Sequence, residues 1–202
     1  MPRDFYISHL WVWSNIIYED LPLVPKYATA HGVTMSIAFV VIFPLGAILL
    51  RVPQSKISVS IHIACQILGV ALMIAGLATG IRVGKILDRS HNNAHTVLGT
   101  ILVVFLLVQP IIGFFHHRRF RATQQASPWT SVHVWLGRIC VLLGIINGGM
   151  GLKLAANTHA GLIVYGVLAG VFGAAFVAVA GWKGGLKLRR KEKQPEVSQM
   201  EI

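Results

Sequence analysis

Five runs of about 20 apolar residues, at about 31–50, 57–81, 94–115, 131–152 and 160–182, constrain this chain more than any other feature. At a rise of 1.5 Å per residue, a helix of that length crosses a hydrocarbon core ~30 Å thick. Only 12% of the 202 residues are charged, against roughly a quarter in a soluble globular domain, so bilayer immersion is the simplest account. The linkers RVPQSK, RVGKILDRSHNN, HHRRFRATQQASP and KLAANT are short, which makes consecutive helices antiparallel neighbours. The predicted architecture is therefore all-α, a polytopic up-and-down bundle of five transmembrane helices. Pro53 and Pro128 fall between runs, while Pro44 and Pro110 fall inside them, where neighbouring helices tolerate a kink.

Ahead of the bundle, residues 1–28 read as a non-cytoplasmic interfacial arm, with Trp11, Trp13 and Tyr18 suited to the headgroup zone. The bundle itself covers 29–182. Residues 183–202 read as an irregular, basic cytoplasmic tail. The net charge of +11 does not point to nucleic acid, because the basic residues flank apolar runs as topology signals do. Arg51, Lys56, Arg118, Arg119, Arg121 and the tail cluster lie on one side. Arg3, Lys26, Arg82, Lys85, Arg89 and Lys153 lie on the other, diluted by Asp4, Glu19, Asp20 and Asp88. The balance predicts a cytoplasmic C-terminus and a non-cytoplasmic N-terminus. Cys65 and Cys140 both sit inside apolar runs, so they read as small buried hydrophobes rather than a disulfide framework.

Nine histidines are present, and four of them, His31, His62, His95 and His133, head the first four runs. Ionisable groups in a membrane are functional by default. Along each helix, positions i+4, i+7, i+11, i+14 and i+18 return to the face of residue i. Below His62 these are Gln66, Gly69, Met73, Gly76 and Gly80. Below His95 they are Gly99, Leu102, Leu106, Gln109 and Gly113, and below His133 they are Gly137, Cys140, Gly144, Asn147 and Gly151. Small residues alone fit close helix packing. Glycine stripes headed by histidine also fit a flat ligand within the bundle, with imidazoles to hold it and missing side chains to admit it. Alternate helices run the same way, so His31 and His95 share the non-cytoplasmic side and His62 and His133 the cytoplasmic side. Two facing imidazoles suit the axial positions of a haem iron, whereas zinc takes three or four ligands and no span carries a carboxylate. Arg138, inside the fourth run, either snorkels to the cytoplasmic surface or meets an anionic group such as a haem propionate. His159 heads the fifth run and rivals His31 as the partner of His95. Met35, one turn below His31, is a candidate thioether ligand or a packing residue.

The segments HGVTMSIAFVVIFPLGAILLR, HIACQ, AHTVLG, HVWLGR and LGIINGGMGL resemble the cytochrome b561 transmembrane domain in its ferric-reductase-like fungal form, over about residues 29–182. The resemblance implies a five- or six-helix bundle with two haem b groups, ligated by His31, His62, His95 and His133. It also implies electron transfer across the membrane, often from cytosolic ascorbate. Many fungal relatives carry a DOMON haem domain ahead of the bundle, and this chain reads as a form without one. The expected function is transfer from a donor such as ascorbate to monodehydroascorbate, a ferric chelate or a redox protein, which would make the chain a transmembrane ferric reductase or an electron carrier. Lys56, Arg82, Lys85 and His159 are the candidate substrate-side residues, by charge and position. The competing readings are a haem-free, histidine-lined transporter of protons or divalent metals, and a helix-packing assembly subunit.

Overall fold

Each apolar run is a helix, and every helix is longer than the run that marks it. The computed structural model describes residues 16–51, 56–90, 92–125 and 127–199, with the side chains of Lys56 and of 182–199 outside the described set. Five helical segments are long and apolar enough to cross a membrane: Tyr18–Arg51, Ile57–Ile86, Ala94–Thr123, Pro128–Leu154 and His159–Gly181.

The first crossing is composite. A 3-10 turn (Tyr18–Leu23) leads into α1 (Val24–Ser36), a π-helical turn (Ile37–Ile42) and α2 (Phe43–Arg51). Pro25 sits in the first turn of α1, where its missing N–H is no loss. Helix therefore begins well ahead of His31, and the expected interfacial arm is helical from Tyr18 onward; residues 1–15 lie outside the described set. The start of this crossing is tied to the end of the second. The Ile17 N–H donates to the Ile86 carbonyl at 3.0 Å, and Arg82 bridges Asp20 at 2.5 Å.

The remaining crossings lie on α3 (Lys56–Ile86), α4 (Ala94–Thr123), α5 (Pro128–Leu154) and α6 (His159–Gln199). Asn93 caps α4 by accepting from the Thr96 N–H at 3.0 Å. At the head of α5, the Thr130 hydroxyl accepts from the Ser127 N–H at 3.1 Å. Helix α6 runs on to Gln199, where an irregular tail was expected; lysine, arginine and glutamate are good helix formers, and they dominate this stretch.

The bundle is two antiparallel hairpins. The first crossing packs along α3, and α4 packs along α5. The hairpins meet where α1 and its π-turn lie against α5, and α6 leans on α2 and α5. Helices α3 and α4, consecutive in the chain, barely touch. Consecutive helices are thus close neighbours within each hairpin but not across the link between the second and third crossings. The core gathers Ala38, Phe39, Phe43, Met73, Leu102, Leu106 and Cys140. Outward faces carry Ile63, Ile67, Phe114, Ile163 and Val171, as a lipid-facing surface requires.

Most of the glycines on the histidine faces admit side chains from neighbouring helices rather than opening onto a ligand. Phe43 fills the space at Gly69, Met35 and Thr34 that at Gly76, and Phe39 that at Gly144. Met35 is thereby a packing residue on the core. The aromatic pair Phe39–Phe43, with ring centroids 5.3 Å apart, locks the π-turn between the hairpins. Gly144→Ala should therefore overpack the Phe39 ring and lower stability by about 1–3 kcal/mol. Gly170→Ala, where an added Cβ meets nothing within 4 Å, should leave stability unchanged or raise it by up to about 1 kcal/mol through helix propensity. Thermal unfolding of the two variants in the same detergent checks the contrast.

Candidate functional site

Three of the four span-heading histidines are held by one repeated device. The Nδ1 atom of His31 lies 2.8 Å from the Gly76 carbonyl, that of His62 lies 3.1 Å from the Gly46 carbonyl, and that of His95 lies 3.0 Å from the Asn147 carbonyl. A carbonyl oxygen only accepts, so each Nδ1 carries the proton and donates it. The Nε2 lone pair of each ring is then left to bind a metal, which is how metal-ligating histidines are ordinarily oriented.

The seat has a sequence rule. Gly76 stands fourteen residues after His62 on the same helix, and Asn147 fourteen after His133. Fourteen residues are close to four full turns, so each helix shows its own histidine near one end and a seat for its partner's histidine near the other. Gly46 stands fifteen after His31, and the additional residue is taken up by the π-turn between them. For His31, His95 and His133 a glycine makes room for the ring, whereas the position one turn beyond Gly46 is Leu50. An added Cβ would stand 2.6 Å from His31 Nδ1 at Gly80, 2.7 Å from His95 Cε1 at Gly151 and 2.9 Å from His133 Cε1 at Gly113.

Between the hairpins, His31 meets His95 with ring centroids 5.9 Å apart and planes at 84°. Two imidazoles on one metal ion, each at about 2 Å through nitrogen, place their centroids on the order of 6 Å apart, so this pair fits an iron between its rings. At the opposite end His133 stands within electrostatic reach of His62. Its ring also stacks on His116, at 6.0 Å and 20°. His31 lies beside Gly76, fourteen residues along α3 from His62, so the two ends are separated by about 21 Å along the helix.

Other expected residues fall as follows. Arg138 lies over the Trp135 ring at 5.0 Å and within electrostatic reach of Arg51, so two guanidinium groups gather at the His62–His133 end. Arg82 is engaged by Asp20. Lys85 is exposed, as is His159 at the first position of α6. The Lys56 side chain lies outside the described residues. His116, in the basic stretch that follows the third apolar run, is half-buried on α4, its Nδ1 2.9 Å from the Thr130 hydroxyl. Among the described residues, no three or more of His, Cys, Asp or Glu come together as a metal cluster.

A membrane bundle that gathers half-buried imidazoles near both of its ends has the layout of a haem-binding electron carrier. The sequence profile of eukaryotic cytochrome b561 matches residues 30–158, and the chain belongs to that family. Its matches among curated proteins include two cytochrome b561 and DOMON domain-containing proteins of Arabidopsis thaliana. One is 30% identical over 75% of this chain and 38% of the relative. The other is 26% identical over 66% of this chain and 36% of the relative. The chain thus spans well under half the length of these relatives. No solved structure matches it significantly.

The glycine seats give a direct test of the site. Gly80→Val and Gly151→Val place methyl groups where the His31 and His95 rings lie. Each should weaken haem retention on purification by about 10–100-fold in affinity, the usual effect of disturbing the support of a metal ligand. Gly166→Val, where nothing lies within 4 Å, should retain haem as wild type does in the same absorbance assay.

Proposed function

We propose that this chain is a two-haem b-type cytochrome that moves electrons across the membrane from a cytosolic donor such as ascorbate to a non-cytoplasmic acceptor. The observation that carries the reading is the outer pair, where His31 and His95 face each other at 5.9 Å with both Nδ1 atoms already committed to backbone carbonyls. Such rings have only Nε2 left to offer a metal. His31 and His95 would hold the outer haem b, and His62 and His133 the inner one. Bound haem iron supplies reversible one-electron chemistry, its potential set by ligand identity, burial and surrounding hydrogen bonds.

The chain's own residues divide the remaining work. Arg138 and Arg51 form a cationic zone at the inner end, suited to haem propionates. Lys56 on the inner side and Lys85 on the outer side would attract anionic substrates such as ascorbate, monodehydroascorbate or a ferric chelate. His159 is a weaker outer candidate, and Arg82 serves first as the partner of Asp20. With a ferric chelate as acceptor the chain acts as a transmembrane ferric reductase. The curated relatives are named for a DOMON domain beside their cytochrome, so a redox domain is a second class of outer partner. The orientation places the N-terminus outside and the C-terminus in the cytoplasm, as the lysine and arginine distribution favours. A haem-free transporter would need acidic relays within the apolar runs, and the carboxylates of the first span, Glu19 and Asp20, lie at its very start.

In purified protein this reading expects two haem b per chain. His62→Ala should lose one and His95→Ala the other, each leaving a reducible low-spin haem in the reduced-minus-oxidised spectrum. Purified wild type without haem would contradict it.

A further inference from the structure

The fourth histidine breaks the rule that the other three obey. By the fourteen-residue spacing, the seat for His133 lies at Gln109 on α4, and Gly113 one turn later is indeed pressed against its ring. Yet His133 Nδ1 is buried with no hydrogen-bond partner, and so is Gln109 Oε1; these are the two buried side-chain polar atoms left unpaired among the described residues. The Gln109 carboxamide already reaches the same residue, its Nε2 donating to the His133 carbonyl at 3.3 Å. Pro110 follows directly, and proline disturbs the helix backbone around it, so the departure coincides with the one seat that precedes a proline.

An unpaired buried donor and an unpaired buried acceptor are each unfavourable, more so in a membrane interior. The missing bond can be made between them, because a carboxamide has one donor end and one acceptor end. We infer that Gln109 is the positioning residue of His133: its Oε1 accepts the imidazole Nδ1–H while its Nε2 holds the His133 carbonyl. His133 would then be the one span-heading histidine whose proton rests on a side chain alone. His31 and His62 rest on backbone carbonyls. His95 has both kinds of acceptor, because Asn147 Oδ1 stands 3.2 Å from its Nδ1. An acceptor on the distal nitrogen raises the basicity of a metal-bound imidazole and favours the more oxidised metal. A backbone acceptor is fixed by the fold, whereas a side-chain acceptor can be changed by one substitution. Gln109 is thus the point at which sequence tunes the inner haem separately from the outer one.

This inference rests on the two-haem reading, and a potentiometric titration of the purified full chain tests it. Gln109→Leu removes the acceptor. It should reduce the inner haem's preference for ferric over ferrous by on the order of tenfold, raising its midpoint potential by about 59 mV for one electron, with the outer haem unmoved. Gln109→Glu keeps an acceptor oxygen and should leave the inner potential at or below that of wild type. Loss of the inner haem from the leucine variant with retention in the glutamate variant supports the same role. Unchanged potentials in Gln109→Leu would mean that a backbone carbonyl serves His133 after all, and would overturn the inference. So would equal shifts of both haems, or loss of haem from both variants. If wild type itself carries no haem, it is the two-haem reading that has failed.

Discussion

A buried imidazole in a lipid-immersed bundle is costly when a ring nitrogen has no partner, and the arrangement of this protein follows from how that need is met. Helix backbones bond internally, so their carbonyls are mostly committed, but each retains a second lone pair. The Nδ1–H of His31, His62 and His95 uses that second lone pair on the opposite strand of a helical hairpin. The bond can form only if the two helices come close, and at His31 and His95 a glycine where the ring lies allows that approach. Glycine seat, hairpin register and ring orientation are therefore one feature seen three ways. With one nitrogen committed to protein, only the other is available to a metal.

Much of this was legible in the sequence. The five spans, their histidine heads and the collection of small and polar residues on the histidine faces follow from hydropathy and the 3.6-residue period. The purpose of the glycines was not. Glycine 69, 76, 80, 144 and 151 could equally line a ligand space or receive a neighbour's side chain, because a missing side chain does not say what fills the gap. Phe43, Met35, His31, Phe39 and His95 fill it. The interval of fourteen or fifteen residues between a histidine and the seat on its helix was present in the sequence but carries meaning only once two helices are set antiparallel. Nor could periodicity foresee the π-turn at Ile37–Ile42, since apolar β-branched and aromatic residues occupy α- and π-helical turns alike. His116 was missed for a related reason: a His-His-Arg-Arg stretch reads as solvated rim, although α4 continues through it and turns one imidazole inward.

The two ends of the bundle are built alike but not identically. The His31–His95 pair has its rings near perpendicular and both Nδ1 atoms bonded. The end that holds His62 and His133 adds His116 stacked on His133, two arginines within reach of one another and a seat that precedes a proline. Differences of this kind in hydrogen bonding and local charge are the levers that separate the potentials of otherwise similar haems. Membership of the cytochrome b561 family fits a bundle that carries electrons within the membrane.

Electron paramagnetic resonance of the oxidised wild-type protein tests the central claim most directly. If the four histidines act as two axial pairs, the spectrum contains two distinct low-spin ferric signals, one of them strongly anisotropic as near-perpendicular imidazole planes require. A single signal, or a high-spin signal from an iron with one protein ligand, would contradict it.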